Sequence, residues 1–197
     1  ECSWVKASGG APAPKASGGG PYLSGAGMPD GIEEEVMAKV SEVEDGVEDE
    51  RNIEREVVSG FVKSLKPKSK GKSLRVRDYQ IDAVHHAVSR HRALLLSPTA
   101  SGKSLIIYAL VRYYKMMGLR TLILVPTTSL VEQMYSDFED YGWSSGTYCQ
   151  KIYQGHDRKV TKDVVISTWQ SLYKMPKKYF ENFGCVIGDE AHLFKAK

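Results

Sequence analysis

The chain reads as an α/β protein built on a parallel sheet with both faces covered, and three observations lead there. Short apolar runs such as Thr121–Val125 (TLILV) alternate with stretches of helical periodicity. One such run, Ala93–Leu96, leads straight into a small-residue loop that ends in Gly102-Lys103-Ser104. A third, Cys185–Gly188, ends in Asp189-Glu190-Ala191-His192. Charged motifs at strand ends are what such a sheet uses, because its ligands sit at the carboxyl ends of the strands.

Taken in order, residues 1–31 are expected to be a disordered, low-complexity segment. KASGG occurs twice, at Lys6–Gly10 and Lys15–Gly19, among further Gly, Ala and Pro. This composition cannot bury enough apolar surface to offset its ordering entropy. Trp4 is a lone aromatic with no assigned role. Residues 32–72 form an acidic helical region followed by a basic linker. Ile32, Val36, Val40, Val43 and Val47 recur at helical spacing among Glu and Asp. Gly46 interrupts them at a cost of about 1 kcal/mol relative to Ala. A second helix is expected from about Asn52 to Val62. An amphipathic helix packed on the next domain and a partner-binding helix both fit this region, whose acidity makes it a poor nucleic-acid surface.

The charge then changes sign. Lys63, Lys66, Lys68, Lys70, Lys72, Arg75 and Arg77 occur with no acid among them. Such a run is a solvated linker or a phosphate-contacting patch. From residue 73 to 197 the α/β pattern holds. Asp78 can cap a helix through about Arg90, with Tyr79, Ala83, Val84, Ala87 and Val88 on its buried face. After strand Ala93–Leu96 and its loop comes a helix from Lys103 to about Met117. Thr121–Val125 is a buried strand, Pro126-Thr127-Thr128 a turn, and a helix follows to about Tyr141. Lys151–Tyr153, Val164–Ser167 and Cys185–Gly188 are further strands.

The loop from Ser97 to Ser104, SPTASGKS, follows the spacing G-x-x-x-x-G-K-[ST], with Ser97 at the first glycine position. Ser97, Pro98, Thr99, Ala100, Ser101 and Gly102 can wrap a polyphosphate with backbone N–H groups at a helix N-terminus. Lys103 reaches the β/γ oxygens as a point charge. The Ser104 hydroxyl binds Mg²⁺, and Gly102 lets the backbone approach closely. Asp189 at a strand end supplies a carboxylate for the metal's hydration shell, and Glu190 one that orients or deprotonates the attacking water. ATP and Mg²⁺ are the implied substrate and cofactor.

Several stretches, in this order, resemble the superfamily-2 helicases and translocases of the DEAH-box-like kind. Arg77-Asp78-Tyr79-Gln80 resembles the adenine-recognising segment, which implies that Arg77, Tyr79 and Gln80 bind the nucleotide, Gln80 reading the base. SPTASGKS resembles motif I, and Leu124–Gln133 (LVPTTSLVEQ) motif Ia. Ile166–Leu172 (ISTWQSL) resembles the later backbone-contacting motif, and Asp189–His192 motif II. PTTSLVEQM, Asp137-Phe138-Glu139-Asp140-Tyr141 and STWQSLYKMPKKYF are also similar to the UvsW-type recombination and repair helicases of T-even-like phages, whose members unwind branched DNA and regress forks.

The resemblance covers roughly Arg75–Lys197 and implies a RecA-like P-loop NTPase domain at 73–197, the first helicase lobe, truncated after motif II. It implies that Pro126, Thr127, Thr128, Gln133, Thr168 and Gln170 touch nucleic acid, branched or single-stranded DNA. It makes Lys103, Asp189, Glu190 and His192 catalytic, with His192 linking the nucleotide site to the DNA side. Thr128 and Ser129 could instead cap the following helix, and Trp169 reads as packing. The chain begins at Glu1 and stops at Lys197 soon after motif II, so it reads as a piece of a longer protein. Catalysis then needs a second RecA-like lobe of the same polypeptide, and the piece alone is expected not to unwind. A P-loop phosphotransferase and a non-catalytic DNA-binding module are the alternatives.

The totals agree with this reading. Over 197 residues the net charge is +3, too small to name a nucleic-acid partner alone. The three cysteines, Cys2, Cys149 and Cys185, are far apart, giving neither a disulfide framework nor a zinc site and suiting a cytoplasmic location. No apolar run approaches the ~18 residues of a membrane span. His85 and His86 are expected to be structural or solvated, and Cys149, Cys185 and the Tyr108, Tyr113 and Tyr114 group to be packing residues.

Overall fold

The computed structural model describes residues 2–7, 53–90, 92–96 and 101–189. Six strands form one sheet: β1 (Cys2–Ala7), β4 (Arg92–Leu96), β5 (Thr121–Val125), β6 (Cys149–Ile152), β7 (Val164–Thr168) and β8 (Cys185–Gly188), in the order β4-β1-β8-β5-β7-β6. The pairs β5–β7, β5–β8 and β6–β7 are parallel. β1 lies antiparallel to both β4 and β8, so β4 runs the same way as the other four. A two-stranded hairpin, β2 (Lys68–Ser69) and β3 (Lys72–Ser73), stands apart.

Helices α1 (Arg55–Ser64), α2 (Asp78–Val88), α3 (Lys103–Met116) and α4 (Thr128–Asp140) share one core with one face of the sheet. The short helices α5 (Ser145–Tyr148), α6 (Trp169–Leu172) and α7 (Lys177–Phe180) complete the chain. Strand alternation divides the apolar residues. Ile123, Val125, Val164, Ile166, Cys185 and Ile187 enter the large helical core. Leu122, Leu124, Val165 and Val186 point to the other face, against Leu172, Tyr179 and Phe183. Covering on both faces is why β5, β7 and β8 are buried at every position and read as continuous apolar runs. Helix α3 is buried on most of its circumference, with Leu105–Val111, Tyr113 and Tyr114 all enclosed. No helix among the described residues is long and apolar enough to cross a membrane.

Four expectations change. Cys2–Ala7, assigned to a disordered segment, is a strand hydrogen-bonded on both sides, with Trp4 level with Leu94 and Gly188. CSWVKA ends within the first KASGG repeat, before its glycines, and Trp and Val favour extended backbone. The rest of 1–31, and the helix expected over 32–47, lie outside the described residues. The basic linker contains a folded hairpin. Lys70 (φ 50) and Gly71 (φ 76) take the two left-handed positions of a two-residue turn. The Lys70 N–H donates to Asp140 Oδ1 at 2.8 Å and the Lys68 N–H to the Tyr141 carbonyl at 3.3 Å, tying the hairpin to the end of α4.

The other two concern caps. Arg77, not Asp78, is the N-cap of α2, and Asp78 sits in the first turn, where its charge suits the helix dipole. Gln80 Oε1 accepts the Arg77 N–H at 3.0 Å. For α4 the cap is Thr127, one residue before the expected Thr128 or Ser129, and its Oγ1 accepts the Leu130 N–H at 3.3 Å.

Candidate functional site

The carboxyl edge of the sheet gathers most of the candidate residues. β4 delivers the chain to the loop before α3, and β8 delivers it to Asp189, whose N–H donates to the Leu124 carbonyl at 2.8 Å. Lys103, the first residue of α3, places Nζ 3.0 Å from Asp189 Oδ1. Asp189 is buried and Lys103 nearly so, their side chains 7% and 12% exposed. Cation and carboxylate therefore meet across the edge. Gly102 is the N-cap of α3 at φ +74, a left-handed conformation that glycine tolerates best.

The loop is braced by α2. Gln80, 5% exposed, donates from Nε2 to the Ser101 carbonyl at 3.2 Å and to the Gly102 carbonyl at 3.5 Å. Tyr79, expected on the buried face of α2, is instead 42% exposed, because its hydroxyl reaches out to donate to the Ser101 carbonyl at 2.5 Å. A Cβ on Gly102 would stand 2.6 Å from Gln80 Nε2, so the end of the Gln80 side chain would have to move, in addition to the left-handed backbone that favours glycine. Arg77 is exposed at the start of the same helix. Ser97, Pro98, Thr99, Ala100, Glu190 and His192 lie outside the described residues.

Ser104 turns towards α4. Its hydroxyl lies 2.7 Å from the Tyr141 hydroxyl, with the Asp137 carboxyl beside it. Burial pushes the Asp137 carboxyl up, and the Ser104 hydrogen bond pulls it back. Burial likewise pushes the Tyr141 phenol up, keeping it protonated and able to donate. Asp137 and Tyr141 appear in the sequence only as part of a family-like stretch. Nothing in spacing brings them to Ser104, because the contact is made between helices. The donor set of one hydroxyl and one buried carboxylate fits Mg²⁺, which keeps several waters and takes one or two protein ligands beside the phosphates. No cluster of three or more His, Cys, Asp or Glu able to hold a metal by themselves occurs among the described residues.

The second set of candidates lies along the same edge, after β5 and β7. Pro126, Thr127 and Thr128 follow β5, with Thr127 and Thr128 exposed, and Gln133 is exposed one turn on. Gln170, also exposed, donates from Nε2 to the Pro126 carbonyl at 3.4 Å, joining the two motifs. Thr168 is buried and its Oγ1 lies 2.8 Å from Ser171 Oγ, so it packs inward. Trp169 is half-buried beside Tyr173, in keeping with packing. An open hollow of about 370 Å³ lies against this edge, lined by Thr128, Ser129, Glu132, Tyr153 and Gln154. Hydrogen bonds from Lys151 and Tyr153 hold the Glu132 carboxyl below its usual range.

The residues expected to be structural are so. His85 Nε2 lies 2.8 Å from the Ile53 carbonyl. Tyr108, Tyr113 and Tyr114 are core residues. Cys149 and Cys185 are buried, and burial pushes the Cys149 thiol up to about 12.

A sheet that is parallel except for β1, carrying a lysine-headed helix opposite a strand-end carboxylate, has the arrangement of a RecA-like α/β domain. The chain belongs to the family described as the Type III restriction enzyme, res subunit, whose pattern it matches over residues 73–197. It is 37% identical over 156 residues to the ATP-dependent DNA helicase uvsW of Enterobacteria phage T4, covering 77% of this chain and 31% of that protein. It is 32% identical over 125 residues to the DNA 3'-5' translocase XPB2 of Sulfurisphaera tokodaii, covering 60% of this chain and 25% of that one. The crystal structure of the UvsW helicase from bacteriophage T4 superposes with a TM-score of 0.68 at 36% identity, covering 74% of this chain and 53% of that one. A second T4 UvsW structure gives 0.64 at 35% identity, over 69% and 28%. The chain thus spans between a quarter and a third of the length of these curated relatives.

Proposed function

We propose that this chain is the first, ATP-binding lobe of an ATP-dependent DNA helicase or translocase acting in recombination, repair or replication-fork processing in the cytoplasm. The observation that carries the reading is the buried Lys103–Asp189 pair at the sheet edge, in a chain with relatives named as a DNA helicase and a DNA translocase. ATP is the substrate. Lys103 takes the β/γ-phosphate charge, and the backbone of Ser97–Gly102 cradles the phosphates. Tyr79 and Gln80 receive the base beside the loop they brace, with Arg77 at their side. Ser104 and Asp189 hold the magnesium ion, which supplies charge neutralisation and orientation to the phosphates when bound. Glu190 orients the attacking water and His192 passes the state of this site to the DNA side.

DNA, branched or single-stranded, lies along the other half of the edge. The exposed Thr127, Thr128, Gln133 and Gln170, with Pro126, offer neutral polar groups suited to phosphate and sugar contacts. Thr168 serves this surface by fixing the turn through Ser171. Closing the cleft, hydrolysis and stepping belong to the longer polypeptide, in which a second RecA-like lobe forms the opposite wall. The test is ATPase activity of the full-length protein on branched DNA. Lys103→Ala is expected to abolish it, and activity that survives this substitution sinks the assignment.

A further inference from the structure

The lysine-rich hairpin is anchored through its backbone, while its cations stand in solvent. Pro67 is buried at its base, and the Leu74 N–H closes that base on the Pro67 carbonyl at 2.8 Å. Leu65, Leu74 and Val76 pack against the large core. The backbone bonds to Asp140 and Tyr141 fasten the hairpin to α4. Lys66, Lys68, Lys70, Lys72 and Arg75 are all exposed. Among the described residues none of these five is in an ion pair. Arg55, Lys115 and Lys151, by contrast, are paired with Asp82, Asp163 and Glu132. Asp140, which touches the hairpin, is engaged by the Lys70 N–H and not by a side-chain cation.

The fold itself does not call for lysine here. Lys66 and Lys70 have φ of 44° and 50°, left-handed conformations that cost an L side chain about 1 kcal/mol each and that glycine adopts freely. Lys68 is level with Ser73, and Ser69 with Lys72. Cross-strand partners share a face and neighbours along a strand alternate, so Lys68 and Lys72 stand on opposite faces of the ribbon, with Lys70 at its tip. A two-stranded ribbon fits the major groove of B-DNA, and lysine is a point charge for phosphate. The stretch from Lys66 to Ser73, KPKSKGKS, holds no aromatic residue on which an unpaired base would stack.

We propose that this hairpin is a docking surface for duplex DNA, held through its phosphates and separate from the edge that carries Thr127 and Thr128. It meets the last turn of α4, whereas Thr127 caps the first, and the 13 residues of the helix set the two about 20 Å apart. The inference rests on the reading of DNA as the substrate. A duplex arm on the hairpin and a single strand along Thr127 and Thr128 are two limbs of one branched substrate.

The test is fluorescence anisotropy of a labelled duplex, and of one of its strands alone, titrated with the chain at salt from about 50 to 200 mM. Lys68→Gln/Lys70→Gln/Lys72→Gln keeps the aliphatic stems and removes three charges. On the duplex it is expected to lower the slope of log affinity against log salt by about 2–3, and to weaken binding about tenfold or more at the lowest salt. On the single strand the slope should change by less than about 1. Lys68→Arg/Lys70→Arg/Lys72→Arg should bind the duplex as wild type does. Arg120→Gln/Lys159→Gln/Lys178→Gln, which removes three exposed charges elsewhere, should keep the duplex slope within about 1 of wild type. An equal loss in that control, or an equal loss on the single strand, overturns the proposal. Duplex binding that the glutamine variant of the hairpin keeps in full overturns the hairpin's role alone. Wild-type chain that binds neither form of DNA overturns the DNA-substrate reading itself.

Discussion

Lys103 Nζ stands 3.0 Å from Asp189 Oδ1, although the two residues are far apart in the sequence. The pair joins the head of α3 to the end of β8. Its burial, at 12% and 7% exposure, makes each charge depend on the other. Removing one partner of a buried pair costs about 3–5 kcal/mol, because the remaining charge is stranded, whereas removing both costs far less.

Lys103→Ala is accordingly expected to destabilise the nucleotide-free chain by about 3 kcal/mol, and Lys103→Ala/Asp189→Ala by clearly less. Urea unfolding of the two single variants and the double variant checks this. Additive losses would show that the pair contributes no coupling.

Gly102→Ala and Gly155→Ala separate backbone cost from contact. Both glycines have positive φ, +74 and +90, so each alanine carries a left-handed penalty of about 1 kcal/mol. At Gly155 a Cβ meets nothing within 4 Å, and the penalty should end there. At Gly102 the Cβ would meet Gln80 Nε2 at 2.6 Å. Gln80 must then release the Ser101 and Gly102 carbonyls. Gly102→Ala should weaken binding of a fluorescent ATP analogue about tenfold or more, from two lost hydrogen bonds at about 1 kcal/mol each, while Gly155→Ala leaves it unchanged. Equal affinities for the two variants would contradict this account of the loop.

Cys149 and Cys185 should be inert to alkylation in the folded chain. Both are buried, and the Cys149 thiol is pushed up to about 12 by burial, far from a reactive thiolate at neutral pH. Iodoacetamide at pH 8 followed by peptide mass spectrometry should find both unmodified until denaturant is added. Rapid native labelling of either would contradict their place in the core.

The parts legible in the sequence are those whose signal is local. β5 and β8 have the expected bounds because a strand covered on both faces is apolar at nearly every position. The start of α3 was legible because Gly102-Lys103-Ser104 fixes it. The hairpin at Lys68–Ser73 was not, because lysine in a left-handed turn leaves no residue signature beyond Gly71. The α4 cap slipped by one residue, since Thr127, Thr128 and Ser129 are equivalent as caps until the backbone chooses. In the site, Lys103 meets Asp189, and Gln80 braces the loop beside them. Asp137 and Tyr141 could not be placed beside Ser104, because that contact depends on the crossing of two helices. Strand β1 was hidden by the repeats that follow it, and its pairing partners are distant in sequence.

Tyr179 gives a pH-dependent signature. It is 9% exposed among Phe180 and Phe183, and its hydroxyl has no hydrogen-bond partner among the described residues. Burial pushes its phenol up to about 12, against about 10 in an unfolded chain. The folded chain therefore holds this proton more tightly than the unfolded chain does. Its contribution is fully present below about pH 10 and is lost as pH rises from about 10 towards 12, on the order of 2 kcal/mol. Tyr179→Phe has no proton to lose. It should match or slightly exceed wild-type stability at pH 7, because a hydroxyl without a partner costs about 1 kcal/mol or more to bury. Its stability should also fall less steeply above pH 10. Urea unfolding at pH 7, 9.5 and 11 measures both effects. A variant that loses several kcal/mol at pH 7 would reveal a hydrogen bond to the phenol, and parallel losses above pH 10 would place the titration elsewhere.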